Sequence, residues 1–533
     1  MQEIELTFLV PQARLKGLMR QVKVKSSQQI PLAAHYYDTP KQSLAQAGIG
    51  LRIRKEGDDW VQTIKAYGDG IAARLEHNAL LDNARVQTML DAGTLMPDLS
   101  IYADTSIEPV LADFNLKKLS KKLTCLYVTD VQRTSRLLTE NKKATASEDG
   151  AQNNSIEVAY DYGKIIHGND AERTQPIQEI EFELISGELG FLFSTVKTWC
   201  KRYKLCLSTV TKAERGGLLI NEQEYSPAVS ANLEALDISP DTSLPAFVRA
   251  AVHHCLLQIL PNSSAIIEGS QNDAHILQLY IGIQRLQLVL NTFKKFSEQL
   301  NPEWLPILAQ TERLLSDYRT HTHLVQTIQP QLELQGAAHI DWTTPLQAVE
   351  VTPNDAVRAN DFQLTLLELI AFTMSDASGE PQADKLAADK IAKILFKKHG
   401  KLLKALSHLD DLEATDASDN KDADTDNKDA ATALHKVRGH LTDLRYLSEF
   451  TAPLYDQKGS KKKAGRLLKC LSKAQNTLGR YLDNGQYQQY YQQQAASDAN
   501  ALFGAGWFGA LVVTDKKRCQ KRLATIPDTA TFW

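Results

Sequence analysis

The sequence lacks the features that mark membrane-spanning, secreted or thiolate-metal proteins. No run of apolar residues reaches the roughly 18 needed to cross a bilayer, so we expect no membrane partner. The opening MQEIELTFLV has glutamates where a secretory signal peptide has positive charge, which favours a cytoplasmic location. The six cysteines form no CxxC pair, so we expect free thiols rather than zinc ligands or disulfides.

The chain also lacks an excess of charge of either sign. Its 60 Lys and Arg residues against 64 Asp and Glu residues give a formal net charge of −4. This balance argues against a surface built throughout for nucleic acid, and we expect no specific nucleic-acid partner. Any anion site must therefore be a local concentration of Lys and Arg. At 533 residues the chain is long enough for two large domains.

Apolar and polar residues alternate in short runs from residue 1 to about 220, as in EIELTF at 3–8 and EIEFEL at 179–184. A period of two indicates strands with one face in an apolar core. The polar faces have like charges, carboxylates in these two runs and guanidinium groups at Arg52 and Arg54. Like charges on one strand face repel unless opposite charges or metal ions lie against them. We therefore expect a closed sheet with a shared charged interior; an ordinary solvated face is the alternative.

The apolar period changes to about 3.6 after Pro245, first in 246–260 and then in 276–296, which predicts helices. The acidic stretch 409–430 lacks sustained apolar periodicity, and we predict a disordered insert there. These patterns predict an α+β fold class. The predicted boundaries are a first domain at 1–220, a linker at 221–245 and a helical domain at 246–533.

Eight short motifs occur in order along the first domain: Glu3-x-Glu5, HYYDTP at 35–40, AGIGLRIR at 47–54, WVQTIK at 60–65, DVQRTSR at 130–136, EVAYDYG at 157–163, EIEFEL at 179–184 and TKAERG at 211–216. Together they resemble the CYTH superfamily, the triphosphate tunnel metalloenzymes. The resemblance implies a closed antiparallel β-barrel, the tunnel, with helices. Its bore is expected to hold triphosphate with basic side chains and divalent metal with acidic ones.

The resemblance also implies roles for individual residues. The residues expected to hold triphosphate and take part in catalysis are Arg52, Arg54, Lys65, Arg133 and Lys212. Further substrate contacts are expected from Arg136, Arg215 and Thr7. The first choices as metal ligands are Glu3, Glu5, Glu179 and Glu181; the further carboxylate candidates are Glu76, Glu157, Asp161 and Glu183, and an ordinary salt bridge is the alternative for each. Mg²⁺ is the expected metal, with Mn²⁺ as the alternative, because hard cations prefer oxygen ligands.

Thr7 departs from the family's opening pattern, which has Lys at this position. Strand alternation places Thr7 on the same face as Glu3 and Glu5, so the bore has one cation fewer. The resemblance implies Mg-dependent hydrolysis of inorganic triphosphate to pyrophosphate and phosphate. Two alternatives stay open: a non-catalytic or weakly catalytic polyphosphate-binding protein, and a hydrolase of thiamine or nucleoside triphosphate.

The helical half resembles the CHAD domain, an all-α helical bundle of two repeated halves whose histidines and basic residues bind polyphosphate. The better-matching segment, LHKVRGHLTDLRYLSEF at 434–450, implies a site for long-chain polyphosphate. Its residues are His435, Lys436, Arg438 and Arg445, and supporting cations are expected from Lys397, Lys398, His399, Lys401 and Lys404.

The corresponding segment of the first half, 277–290, has few basic residues. Uncharged residues stand at its expected basic positions, Leu277, Tyr280, Gln284 and Gln287, and Arg285 is the cation that remains. The domain order and the final segment, 506–533, resemble bacterial CYTH–CHAD fusion proteins of the inorganic triphosphatase type.

Overall fold

Strands dominate the first 210 residues of the computed structural model, which describes residues 2–68, 71–140, 153–342, 351–416, 423–455 and 459–533. Within those ranges the strands are β1 (Gln2–Leu9), β2 (Gln28–Asp38), β3 (Ile49–Glu56), β4 (Asp59–Tyr67), β5 (Ala73–Leu81), β6 (Thr124–Thr139), β7 (Ser155–His167), β8 (Asp170–Ser186) and β9 (Cys206–Ser208).

Pairing of β1 with β5 closes the sheet. The strands follow the order β5-β4-β3-β2-β6-β7-β8-β1, and Glu3 of β1 lies opposite Arg74 of β5. The short strand β9 pairs with β1 as well, outside this ring. All pairings in the ring are antiparallel. The predicted closed antiparallel barrel is confirmed, with eight strands in the closed ring.

Short helices accompany the barrel strands: α1 (Gln12–Val22), α2 (Ser43–Gln46), α3 (Asn83–Asp91), α4 (Leu116–Ser120), α5 (Leu189–Tyr203) and α6 (Lys212–Ile220). The outer sheet face packs its apolar side chains against some of them. The Phe182 ring of β8 contacts Trp199 of α5 edge to face, with centroids 5.4 Å apart. Because side chains alternate between the two faces of a strand, the charged residues next to these apolar ones point into the barrel.

The remaining described chain is helical, as predicted. Its helices are α7 (Leu244–Glu268), α8 (Asp273–Thr292), α9 (Trp304–His323), α10 (Gln329–Glu333), α11 (Pro353–Arg358), α12 (Asn360–Met374), α13 (Ala387–Asp416), α14 (Ala423–Thr451), α15 (Ser460–Gln494) and α16 (Leu502–Leu523). Among the residues described, we find no helix with the length and apolar character that a bilayer crossing requires.

The chain packs into two compact units. The first consists of Met1–Ser230, Leu256–Leu279 and Pro353–Ser375, and the second consists of Ala231–Cys255, Tyr280–Thr352 and Asp376–Trp533. This division follows packing, whereas the predicted boundaries at 220 and 246 follow motif order. The predicted boundaries stay a prediction.

The acidic stretch 409–430 requires a correction. Helix α13 continues through Asp416 and α14 begins at Ala423, so the described residues on both sides of the stretch are helical rather than disordered. The two helices extend into this stretch from their Leu-rich neighbouring segments, although its Asp, Asn, Ser and Thr residues are weak helix formers. Residues 417–422 of the predicted insert lie outside the described residues.

Candidate active site

The barrel encloses a cavity of about 640 Å³, and all eight strands of the closed ring and the start of α6 contribute to its lining. The five predicted catalytic cations all line it: Arg52, Arg54, Lys65, Arg133 and Lys212. So do Thr7 and all eight candidate carboxylates: Glu3, Glu5, Glu76, Glu157, Asp161, Glu179, Glu181 and Glu183. The expected shared interior of acidic and basic strands is therefore present.

Lys212 lies at the centre of one charge cluster. Its Nζ is 2.8 Å from Asp161 Oδ2 and 2.5 Å from an oxygen of both Glu179 and Glu181. Thr211 is the N-cap residue directly before α6, and its side chain accepts a hydrogen bond from the Glu214 N–H. This cap fixes the first helical turn, where the Lys212 side chain enters the bore.

Arg133 holds the same cluster from β6. Its Nε and Nη2 donate hydrogen bonds of 2.8 and 2.7 Å to the two oxygens of Asp161, and Nη2 also donates to Glu181. Bidentate pairing of this kind fixes the plane of the guanidinium. Register explains the contact, because Arg133 of β6 lies directly opposite Asp161 of β7.

Burial and nearby cations act in opposite directions on the pKa values of this cluster. Burial raises the pKa of Glu179 above its ordinary value, although Lys212 opposes the shift. For Asp161, burial would raise the pKa, but Lys212 and Arg133 outweigh it and lower the pKa. The pKa of Lys212 lies well above its ordinary value because the three carboxylates outweigh desolvation. The Lys212 side-chain amine is therefore protonated and positively charged.

Asp161, Glu179 and Glu181 fit a divalent metal site. All three are buried, and one oxygen from each lies within 4.8 Å of the others. Glu179 Oε2 is buried and accepts no hydrogen bond from any residue that the structure describes; its near cation, Arg215 Nη2, is 3.9 Å away. Buried carboxylate oxygens normally have a partner, and oxygen ligands suit Mg²⁺ or Mn²⁺.

Lys65 forms a second cluster with three carboxylates. Its Nζ lies 2.7 Å from Glu3, 3.4 Å from Glu5 and 2.8 Å from Glu76. Burial raises the pKa of Glu3 to about 9, although Lys65 opposes the shift. Burial would raise the pKa of Glu76, but the Glu3 hydrogen bond and Lys65 lower it to about 2.

The predicted metal ligands therefore separate between these clusters. Glu179 and Glu181 join Asp161 around Lys212, whereas Glu3 and Glu5 surround Lys65. Thr7 donates a hydrogen bond of 3.3 Å to Glu5.

Arg52 and Arg54 face the bore from β3. Arg54 pairs with Glu56, and Arg52 donates a 3.3 Å hydrogen bond to the Tyr36 hydroxyl. Arg52 Nε is buried without a hydrogen-bond acceptor among the described residues. Sequence reasoning missed Glu56, although strand alternation places it on the same face as the two arginines.

Two predicted substrate-binding residues are placed elsewhere and require correction. Arg136 points out of the bore, with its guanidinium 5.8 Å from the centroid of Trp199. Strand alternation explains this, because Arg133 faces inward and a shift of three residues reverses the face. Arg215 does not line the cavity; it is buried and bonds Glu268 at 2.8 Å.

The second unit contains a groove of about 980 Å³, lined by residues of α8, α9, α13, α14 and α15. Its basic side chains are Arg319, His323, Lys397, Lys398, Lys401, His435 and Arg438. Sequence reasoning missed Arg319 and His323, which lie outside the quoted motifs and share one face of α9 by their spacing of four.

Several predicted polyphosphate-binding residues are not in this lining. They are Lys436, Arg445, His399 and Lys404. Arg445 instead donates to Glu449 at 2.9 Å and to Gln475 at 3.0 Å.

Arg285, expected as the remaining cation of the first repeat, is buried. It pairs with Glu449, and its guanidinium lies 4.9 Å from the Tyr446 ring centroid and 4.7 Å from that of Phe450. Helix α8 lines the groove with uncharged residues. Two of them, Gln284 and Gln287, donate hydrogen bonds of 2.9 and 2.8 Å to the Glu312 carboxylate. Among the residues described, helix α8 contributes no Lys, Arg or His to the lining of the groove.

Comparison with known domain families gives two matches, the CYTH domain over residues 1–216 and the CHAD domain over residues 250–486. The chain contains a CYTH domain followed by a CHAD domain. The tunnel therefore belongs to the CYTH domain, and the groove residues lie within the CHAD match or next to its end.

Individual relatives match parts of the chain. An inorganic triphosphatase of Haemophilus influenzae is 33% identical over 229 residues, which cover 42% of this chain and 56% of the relative. The match thus spans about half the length of that protein. The crystal structure of a CHAD domain from Ricinus communis is 21% identical, covers 56% of this chain and 96% of its own, and has a TM-score of 0.42. A Hippeastrum protein with a dominant triphosphatase activity is 14% identical, with 42% and 96% covered and a TM-score of 0.29.

Proposed function

We propose that the CYTH domain is a divalent-metal-dependent inorganic triphosphatase. The observation that carries the proposal is the content of the bore. Five cations from β3, β4, β6 and α6 line one cavity together with a buried acidic triad. Ordinary ion pairs on a protein surface do not require their charged groups to line one enclosed cavity, whereas these groups do. The similarity to the Haemophilus influenzae inorganic triphosphatase supports the same activity.

The cations suit a polyphosphate anion. Fixed donors stabilise phosphoryl oxygens with little reorganisation as the bond breaks. Arg133 is fixed by its two bonds to Asp161, and Arg52 has a buried Nε to which an anionic oxygen would be a suitable acceptor. Lys65 and Lys212 act as point charges, since an ammonium lacks the planar fork of arginine.

In the proposed reaction a water oxygen forms a bond to the terminal phosphorus as the bond to the bridging oxygen breaks. The products are phosphate and pyrophosphate, and the water proton is released to bulk. Arg133 and Lys212 stabilise the negative charge that moves onto the oxygens of the reacting group. Asp161, Glu179 and Glu181 would hold a divalent metal, which supplies positive charge and activates water.

The substrate can be established by measuring phosphate release from tripolyphosphate, ATP and thiamine triphosphate, each with Mg²⁺, Mn²⁺ or EDTA. We expect the highest kcat/KM for tripolyphosphate and no turnover with EDTA. A higher value for ATP or thiamine triphosphate would change the substrate assignment. Absence of turnover with all three would favour a binding protein.

Arg133 and Arg136 form a matched pair for testing the bore, because they lie on opposite faces of one strand. Arg133 points into the bore and Arg136 points out of it. Arg133→Met should lower kcat/KM for tripolyphosphate by about 100-fold, in line with the loss of one transition-state donor. Arg136→Met removes the same charge outside the bore and should change kcat/KM less than about twofold. Equal losses in the two variants, with unchanged thermal stability, would contradict catalysis in this cavity.

We further propose that the groove of the CHAD domain binds long-chain polyphosphate. Its support is the convergence of basic side chains from α9, α13 and α14 on one concave surface. His435→Ala with Arg438→Ala should weaken polyphosphate binding about tenfold or more, while tripolyphosphate hydrolysis stays unchanged. Lys436→Ala is the control, because Lys436 is exposed on the same helix outside the groove lining. An equal effect of the control would remove the groove as the site.

A further inference from the structure

Helices α15 and α16 have a one-sided distribution of charge. Residues 460–480 include seven Lys or Arg residues and no Asp or Glu, and residues 516–527 include five and none. All twelve are exposed: Lys461, Lys462, Lys463, Arg466, Lys469, Lys473, Arg480, Lys516, Lys517, Arg518, Lys521 and Arg522. In a chain of net charge −4 this is a strong local excess of positive charge.

The two basic segments lie side by side in an antiparallel helix pair. Buried Asp515 of α16 accepts hydrogen bonds from Arg480 at 2.8 Å and from Asn484 at 2.9 Å. Further along the pair, Cys470 Sγ lies 3.5 Å from the Thr525 hydroxyl. Both basic segments therefore occupy the same end of the pair and form one surface, which we call the basic end.

The basic end costs helix stability. Lys462, Arg466, Lys469 and Lys473 are spaced by four, three and four residues, so they share one helix face. Like charges at these spacings repel and destabilise a helix. An anionic partner would offset this repulsion, whereas solvent alone only screens it.

The other end of α16 is apolar and exposed. Leu502 and Val513 are each 62% exposed, and Phe503 and Trp507 are each 40% exposed. The Phe503 and Trp507 rings stack on each other with centroids 6.1 Å apart. Exposed apolar clusters of this kind mark interaction surfaces more often than single exposed residues do. We call these residues, with Leu511, the apolar end.

The two ends share one exposed face of α16. Phe503, Trp507 and Leu511 follow a spacing of four, and Arg518 and Lys521 continue the same face about two and three turns beyond Leu511. A single flat partner can therefore contact the apolar and the basic ends together.

We propose that this face of the α15–α16 pair docks on an anionic phospholipid surface. An inorganic polyanion would use the basic end alone. Nucleic acid could stack bases on Trp507 but would leave the aliphatic Leu511 on the same face unused. A phospholipid surface matches both ends, because its phosphates attract Lys and Arg while its acyl region accepts apolar side chains. This departs from the sequence-based expectation that the chain has no membrane partner, and it does not depend on the proposed triphosphatase activity.

Vesicle flotation with the full chain tests the proposal. The probes are vesicles of phosphatidylcholine alone and of phosphatidylcholine mixed equally with phosphatidylglycerol. We expect the wild-type chain to float with the mixed vesicles, to stay unbound with phosphatidylcholine, and to lose binding as salt rises. Failure to bind the mixed vesicles at low salt would overturn the proposal.

Two variants separate the contributions. Lys517→Gln, Lys521→Gln and Arg522→Gln together should weaken mixed-vesicle affinity about 100-fold, since each cation near an anionic surface contributes about one factor of five. Phe503→Gln with Trp507→Gln should weaken it about tenfold or more through lost apolar burial. The apolar double variant should leave polyphosphate binding unchanged, because an inorganic anion has no use for these rings.

Matched controls exist elsewhere on the chain. Lys117→Gln, Lys118→Gln and Lys121→Gln remove three exposed lysines at α4, and Phe396→Gln removes a ring that is 74% exposed. Both should bind vesicles like wild type, and all variants should keep the wild-type Tm. Equal loss in the controls would overturn the proposal. The proposal would also be overturned if the wild-type chain sedimented as a dimer, bound no vesicles, and became a monomer in the Phe503→Gln with Trp507→Gln variant. In that case the partner of this face would be a second copy of the chain.

Discussion

The Tyr127 hydroxyl donates a hydrogen bond of 2.9 Å to the backbone carbonyl oxygen of Ala213. Ala213 directly follows Lys212, and the Tyr127 ring also packs on Gly216 one turn later, where a Cβ would lie 2.1 Å from a ring carbon. Tyr127 on β6 therefore holds the first turns of α6 against the barrel. The position of the Lys212 ammonium among its three carboxylates depends on this contact.

Gly216→Ala should lower kcat for tripolyphosphate about tenfold, because the new methyl group must displace either the Tyr127 ring or α6, and Lys212 moves with the helix. Gly217→Ala is the control: its Cβ would meet the end of the Gln42 side chain at 3.2 Å, and that side chain can move. The measurement is steady-state kinetics of both variants. Wild-type kcat in Gly216→Ala would show that Lys212 does not depend on the Tyr127 contact.

Glu181→Gln should weaken binding of Mn²⁺ at least about tenfold, since a neutral amide is a poorer ligand for a hard cation. Glu157→Gln, which changes a cavity-lining carboxylate outside the triad, should bind Mn²⁺ with wild-type affinity. Isothermal titration with the metal measures both affinities without reference to turnover. If Glu157→Gln lost as much affinity as Glu181→Gln, the ion would have to lie nearer Glu157.

Lys65→Met should lower the free energy of unfolding by about 2 kcal/mol at neutral pH. It leaves the largely buried Glu3, Glu5 and Glu76 without their shared cation, and breaking such clusters is costly. Lys55→Met, at an exposed position on neighbouring β3, should change stability by less than about 0.5 kcal/mol. Denaturant unfolding monitored by circular dichroism gives both values; equal stability of the two variants would contradict the importance of the Lys65 cluster.

Arg285→Met should destabilise the CHAD domain by about 3 kcal/mol, because buried Glu449 loses its buried partner and keeps, among the residues that the structure describes, the more exposed Arg445. Arg285→Met with Glu449→Leu should recover most of this loss, since both charges are then gone. Unfolding of the single and double variants forms a double-mutant cycle. Additive losses would mean that the two groups contribute independently.

Thr7→Lys should raise kcat/KM for tripolyphosphate. Thr7 lines the bore beside Glu5 and opposite Glu181, so an ammonium there gains carboxylate partners and adds a cationic contact to the substrate. Thr7→Gln, of similar length and without charge, controls for bulk. A kcat/KM at or below the wild-type value in Thr7→Lys would show that the bore already holds the cations it needs.

Much of the tunnel could be predicted because strand alternation is a strict rule. The period of two places Glu3, Glu5, Arg52 and Arg54 on inward faces, and the closed barrel confirms it. Arg136 was wrong for the same reason, since its distance of three from Arg133 already placed it on the outer face. The motif DVQRTSR contains both arginines, but motif membership does not determine which face of the strand each one occupies.

The grouping of the carboxylates could not be predicted in the same way. Which glutamates meet depends on the order of strands around the barrel and on their register, and neither is written in local sequence. Asp161 belongs to the triad because β7 lies between β6 and β8. The burial of Arg285 likewise follows from contacts with Glu449, more than 160 positions away in the sequence, which a helical period cannot reveal.

The pairing of β1 has a consequence for how the tunnel assembles during synthesis. Gln2–Ile4 pairs with β5 near residue 74, and Glu5–Leu9 pairs with β8 near residue 181. As the chain leaves the ribosome, β1 can pair with β5 early, but the edge that pairs with β8 stays open until β8 has emerged, and closing so long a loop is slow. Until then Glu5 has no Glu183 opposite it, and the bore has a gap along its length. Recovery of turnover after dilution from denaturant should consequently lag behind recovery of strand content, with the interval set by insertion of β1 into its slot.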